Sequence, residues 1–133
     1  MFKQERKYYA RAFLYALAMA GVLLLPFVII DRGFFVYYGD YNAQQMPFYK
    51  TCIEAVQSGN FGWNWKTDLG ANFVGSYSFY TLGSPFFWFA ALFPVAISQY
   101  LMAPLLALKI ALSSLFAFVF IRRFVTKPQN ALI

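Results

Sequence analysis

Two apolar segments of about 20 residues constrain the fold of this chain more than any other feature. Residues 12–30 carry no charge, and residues 101–121 carry only Lys109. A helix of about 20 residues covers roughly 30 Å, the thickness of the hydrocarbon core of a bilayer. The composition agrees, because 61% of the residues are hydrophobic and only 12% are charged, too few to cover a soluble domain. The sequence therefore predicts an all-α integral membrane protein with two transmembrane helices.

The net charge of +6 is concentrated at the two ends of the chain. Residues 1–11 hold four cations against Glu5, and the tail 122–133 holds three more, so each end has a net charge of +3. Cytoplasmic flanks of membrane spans collect Lys and Arg. We therefore predict a hairpin with both termini cytoplasmic and residues 31–99 as a long extracytoplasmic loop, with the bilayer rather than a nucleic acid as partner. A cleavable signal peptide is the alternative for residues 12–30, but their apolar run exceeds the usual ~7–15 residues.

The loop is expected to contain two helices. Residues 41–58 predict an amphipathic helix that stops at Ser58-Gly59-Asn60. Pro47 either marks its first turn or kinks a helix that begins at Asp40. Residues 84–97 are apolar but number only about 14, which favours an interfacial or re-entrant helix over a third span. The first helix is predicted to bury Phe48, Tyr49, Cys52, Ile53 and Val56, with Lys50, Glu54 and Gln57 facing away.

Short motifs in order along the chain resemble those of the bacterial YfhO family. Gly39-Asp40, Gln44 and Pro47-Phe48 look like the G-D-x-x-x-Q-x-x-P-F signature of that family. Residues 68–73 with 84–86 resemble its next block, and 101–102, 108–109 and 122–124 sit where its next helix has such residues. Because family members are much longer, the resemblance implies that residues 1–133 are the N-terminal part of a polytopic membrane domain. We expect this part to be inactive without the remaining C-terminal helices.

The resemblance implies a glycosyltransferase of the multi-spanning GT-C type in the bacterial cytoplasmic membrane. Such enzymes take a sugar from a polyprenyl-phosphate carrier outside the membrane, and in this family the acceptors are thought to be cell-envelope polymers such as lipoteichoic acid. The alternative is a non-catalytic membrane protein, either a transporter fragment or an assembly subunit, that uses the loop as a docking surface.

Asp40 is the expected catalytic residue. Sugar transfer needs a base for the acceptor proton and stabilisation of the departing phosphate. The chain has no His, so a carboxylate is the natural base. Asp40 lies about ten residues past the first span, and GT-C enzymes typically place an acidic residue in this loop. From the residues alone, Asp40 also suits a helix N-cap after Gly39.

Four further residues are expected to bind substrate. Lys109 lies about eight residues into the second span, roughly 12 Å along the helix, where a cation usually faces a partner or a cavity. It suits a carrier phosphate, although snorkelling to the interface is the alternative. Asp68 suits a sugar hydroxyl or a divalent cation, the one cofactor left open, or else a turn before Leu69-Gly70. Gln44 and Asn72 suit sugar or phosphate, or else the loop backbone.

Overall fold

The computed structural model describes residues 2–36, 39–65, 67 and 69–132, with side chains from Glu5 onward. This part of the chain is mostly helical, and two of its helices are long and apolar enough to span a bilayer, as predicted. The elements are α1 (Phe2–Ile30), a π-helical turn (Tyr41–Gln45), α2 (Met46–Ser58), β1 (Trp63–Asn64), β2 (Ala71–Asn72), α3 (Phe73–Tyr77), α4 (Pro85–Ala91), α5 (Val95–Ser98), α6 (Met102–Ile121) and a 3-10 turn (Pro128–Ala131).

The long helices α1 and α6 pack against each other as a hairpin. Ala12, Ala16 and Ala20 recur every four residues on α1 and are buried. Small residues at this spacing let two helix backbones approach closely, which is a common packing mode of membrane helices. The Ser114 hydroxyl on α6 donates a hydrogen bond of 3.1 Å to the Ala12 carbonyl. The hairpin therefore combines close backbone contact at the alanines with aromatic packing nearer the chain ends, where the rings of Tyr9 and Phe118 meet edge to face at 5.0 Å.

The two ends of the loop between these helices are held together by aromatic contacts. After α1, Gly33 adopts a φ of +102°, and a Cβ at this position would lie 3.0 Å from two ring atoms of Tyr100. The Phe34 and Tyr100 rings stack with centroids 4.2 Å apart. The Asp31 carboxylate accepts a hydrogen bond of 3.0 Å from the Val36 N–H. A glycine is required here because the chain turns tightly against an aromatic ring.

Residues 41–58 form two helical segments that meet near Pro47. Proline has no N–H and cannot donate to the carbonyl four residues before it. The preceding turn is π-helical, and the Met46 N–H donates to the Tyr41 carbonyl five residues back. Pro47 then lies in the first turn of α2. It therefore both begins a helix and interrupts the regular helical path that starts near Asp40, which are the two alternatives predicted for it. The helix ends at Ser58 as predicted, with Gly59 in the left-handed conformation.

The apolar face of α2 forms the core of the loop. Tyr49, Cys52 and Ile53 are buried, as the helical spacing predicts, and they pack with Phe73 and Phe87 from α3 and α4. Lys50 and Glu54 lie on the outer face, with 4.0 Å between the Nζ and Oε1 atoms.

Gln57 is exposed, as its position on α2 predicts, but it also makes hydrogen bonds that the helical spacing does not reveal. Its side-chain amide donates to the carbonyls of Ala91, at 3.0 Å, and Phe93, at 2.7 Å. Gln57 therefore holds the end of α4 against α2.

Residues 84–97 form two short helices rather than one. α4 ends at Ala91, and Pro94 precedes α5, because proline cannot continue a helix that arrives from its N-terminal side. The loop also contains a short antiparallel ribbon that the all-α prediction did not include. Its strands are two residues long, with Trp63 opposite Asn72 and Asn64 opposite Ala71. These details follow from contacts within the loop.

Candidate functional site

A cavity of about 310 Å³ lies between the loop and the first half of α6. Tyr41, Gln45 and Tyr49 line it from the π-helical turn and α2, and their four-residue spacing places them on one helical face. Lys109 lines it from α6. The remaining lining residues are Tyr80, Ser84, Phe86, Phe87, Met102, Leu105 and Leu106. The cavity thus combines aromatic walls with hydroxyl and amide groups and one cation.

Lys109 is, among the described residues, the one charged side chain that lines this cavity. Its Nζ lies 5.5 Å from the centroid of the Phe86 ring, a cation–π distance. No described carboxylate lines the cavity, so the positive charge is not neutralised there and is accessible to an anion. Lys109 belongs to the candidate membrane span Met102–Ile121, and its contact with a substrate stays a prediction.

Two tyrosine hydroxyls of the cavity are strongly influenced by burial. Burial raises the pKa of Tyr41 to about 12. It also raises the pKa of Tyr49 to about 12, with a smaller contribution from nearby Tyr41. Both hydroxyls therefore stay protonated at physiological pH and can donate hydrogen bonds to a sugar or phosphate oxygen.

Asp40 lies immediately before Tyr41 and is exposed. It occupies the N-cap position of the π-helical turn but has helical backbone angles and makes no side-chain capping hydrogen bond. The capping alternative is therefore absent from the structure. Asp40 does not itself line the cavity, whereas the next residue along the chain does.

The other predicted binding residues have different surroundings. Gln44 accepts a hydrogen bond of 2.8 Å at Oε1 from the Tyr80 hydroxyl, which joins the π-helical turn to a wall of the cavity. Asn72 caps α3, because its Oδ1 accepts from the Gly75 N–H at 2.8 Å. This is the backbone-satisfying alternative for Asn72. Asp68 lies outside the described residues.

Within the described part of the chain, no group of three Cys, Asp or Glu residues is placed to hold a metal ion. Cys52 is fully buried in the loop core, and burial raises the pKa of its thiol despite a hydrogen bond with Thr81. A buried thiol of this kind is a packing residue rather than a nucleophile.

Comparison with known families decides how the chain is classified. The family described as "Bacterial membrane protein YfhO" matches residues 11–133, nearly the whole chain. The chain belongs to the YfhO family. No curated protein and no solved structure matches it. The resemblance inferred from the ordered motifs is thereby confirmed.

The family match covers both the loop side and the α6 side of the cavity. Gln44 and Lys109 both belong to YfhO-like motifs, one in the loop and one on α6. Each contacts a different aromatic residue of the cavity wall, Tyr80 for Gln44 and Phe86 for Lys109. Sequence reasoning missed Tyr41, Gln45 and Tyr49 as residues that line the cavity. The spacing of these three residues along one helical face was the available signal, but it did not reveal that this face turns toward Lys109.

Proposed function

We propose that this YfhO-family protein is a membrane glycosyltransferase that transfers a sugar from a polyprenyl-phosphate carrier to a cell-envelope acceptor such as lipoteichoic acid. In this proposal residues 31–99 lie outside the plasma membrane and both basic ends lie in the cytoplasm. Residues 1–133 act as the N-terminal part of a larger GT-C-type domain. The phosphate of the carrier binds in the cavity beside Lys109.

The position of Lys109 in a cavity without a described carboxylate is the observation that carries this proposal. Lys109 follows Met102 by seven residues, roughly 11 Å along α6. A carrier lipid holds its phosphate near the membrane surface with its chain in the bilayer, a depth that an intramembrane cation near the end of a span can reach. Charge stabilisation of the departing phosphate is the largest task in this reaction.

The aromatic surroundings support a sugar and a lipid tail at the same site. Tyr41 and Tyr80 offer ring faces and hydroxyl groups to a sugar in the cavity. On α4, Trp88, Phe89 and the adjoining Leu92 are exposed, and such residues suit the membrane–water boundary. An isoprenoid chain can therefore leave the cavity along an apolar surface.

In this proposal Asp40 is the general base. Its carboxylate is exposed and makes no capping bond, and it stands next to Tyr41, which lines the cavity. A solvent-facing carboxylate in this position can accept a proton from an acceptor hydroxyl that approaches from outside the membrane. Gln44 then positions Tyr80 through their hydrogen bond.

The test is Asp40→Asn in the full-length protein, with envelope-polymer glycosylation measured in cells at matched protein levels. We expect a loss on the order of a hundredfold or more, which is typical when a general base is removed. Glu54→Gln is the matched control, since it removes one carboxylate from the outer face of α2, and it should leave glycosylation unchanged. Normal glycosylation in Asp40→Asn would rule out the catalytic assignment.

A docking role is the second candidate, and one feature favours it. Trp65 and Leu69 belong to the segment of the chain that connects β1 to β2, and their side chains are 77% and 94% exposed. Large exposed apolar groups often mark interaction surfaces. If a Trp65→Ser, Leu69→Ser double variant abolished cellular function while Asp40→Asn had no effect, the docking role would replace the enzymatic one.

A further inference from the structure

A second concave site lies at the opposite end of the hairpin, where the chain carries its basic residues. It measures about 510 Å³ and is formed by the start of α1, the end of α6 and the segment after α6. Its polar lining comes from Glu5, Lys7, Tyr8, Arg11, Arg122 and Thr126. No residue of this site takes part in the function proposed above.

The site is fixed by Arg122. Its NH2 group donates to the Glu5 carboxylate at 2.6 Å, and its NH1 group donates to the Val125 carbonyl at 2.7 Å. Both side chains of the ion pair are about one-quarter exposed. The Nε donor of Arg122 is buried and has no hydrogen-bond partner among the described residues. The pair joins the start of α1 to the end of α6 and so connects two walls of the site.

The charge of this site is not balanced by the protein. Glu5 is the one acidic side chain in the sequence within residues 1–30 and 100–132, and it is already paired with Arg122. Lys7 and Arg11 therefore have no carboxylate partner in either of these segments. The Arg11 guanidinium lies over the Tyr8 ring, 5.5 Å from its centroid. Two cations without a carboxylate partner in these segments, Lys7 and Arg11, therefore line the concavity together with the Arg122–Glu5 ion pair.

We propose that this site binds the phosphate of an anionic phospholipid headgroup at the membrane surface. Basic residues that only set topology need no concave arrangement, whereas the unpaired Lys7 and Arg11, one turn apart on α1 and lining one concavity with the Arg122–Glu5 pair, match a phosphate. Arg11 directly precedes the apolar run of α1 and Arg122 directly follows that of α6. The site therefore lies at headgroup depth, and the acyl chains of a bound lipid can run along the helices. Tyr8 and Thr126 supply hydroxyl donors.

The experiment measures the unfolding temperature of the full-length protein in a neutral detergent, titrated with phosphatidylglycerol or phosphatidylcholine. The pocket variant is Lys7→Gln, Arg11→Gln. The matched control is Arg6→Gln, Lys127→Gln, which removes two charges from the same end of the hairpin but from side chains outside the site. We expect phosphatidylglycerol to stabilise the wild type and the control alike. The pocket variant should need on the order of tenfold more lipid for the same shift.

Two further arms complete the test. The charge-conserving variant Lys7→Arg, Arg11→Lys should keep the lipid response, which separates loss of charge from misfolding. Inorganic phosphate at matched concentration should give no comparable shift. Equal weakening in the pocket and control variants, an equal response to phosphatidylcholine, or full replacement by inorganic phosphate would each overturn the lipid assignment. None of these readouts depends on glycosylation, so failure here leaves the proposed enzyme function untouched.

Discussion

The Nζ atom of Lys109 lies 5.5 Å from the centroid of the Phe86 ring, inside a cavity that also exposes Tyr41 and Tyr49. The ring face stabilises the ammonium group without neutralising it. The spanning helix α6 and the helical segments of the loop thus line the same cavity, although Lys109 and Tyr41 are far apart in the sequence.

Replacing this cation should abolish function if the cavity binds a phosphate. We expect Lys109→Gln to lower glycosylation on the order of a hundredfold, because a charged donor to the departing phosphate is lost. Lys50→Gln removes a cation from the outer face of α2 and serves as the control. The measurement is envelope-polymer glycosylation at matched membrane levels of each protein. Similar activity for the two variants would contradict a phosphate role for Lys109.

Tyr41 and Tyr49 in the cavity should lose their hydroxyl protons at a higher pH than ordinary tyrosines do. Because burial raises the pKa of Tyr41 to about 12, the hydroxyl contributes to stability below its unfolded pKa of about 10. That contribution is lost as the pH rises toward about 12. The check is the tyrosinate absorbance of the wild type minus that of Tyr41→Phe during an alkaline titration. In denaturant the same difference should titrate near 10, and a folded-state midpoint there would contradict the buried position.

The stability of the α1–α6 hairpin should depend on the size of the side chain at position 20. Ala20 is 2% exposed where α1 packs in the hairpin, so Ala20→Leu forces the helices apart and should destabilise the fold by about 1–3 kcal/mol. Ala18→Leu is the matched control on the exposed side of the same helix. Thermal unfolding in detergent measures both. Equal unfolding temperatures for the two variants would mean that the close alanine contact is not what holds the helices together.

Cysteine labelling should reveal the topology. Cys52, the one cysteine within residues 1–133, is fully buried with a raised thiol pKa. It should therefore react slowly with a membrane-impermeant maleimide, and the wild type provides the background. In intact cells, Asn60→Cys in the exposed loop should label and Gln129→Cys in the exposed tail should not. Labelling of Gln129→Cys from outside would reverse the orientation on which the proposed function rests.

The sequence by itself determined the features that depend on local composition. Length and apolarity define the two predicted spans at 12–30 and 101–121, which lie in α1 and α6, since hydrocarbon thickness sets the minimum length of a span. Helical periodicity found the buried face of α2 at Tyr49, Cys52 and Ile53, and Gly59 marked its end. Each of these inferences needs only neighbours within one or two turns.

Tertiary structure decided which of these local elements meet. Tyr41, Tyr80 and Lys109 share a cavity, Gln57 holds the end of α4, and Glu5 pairs with Arg122. These partners are separated by roughly 30 to more than 100 residues, and no local spacing records which faces turn toward each other. Two kinds of packing bring them together: close van der Waals contact joins the small-residue helix pair within the bilayer, and burial of apolar surface holds the loop core.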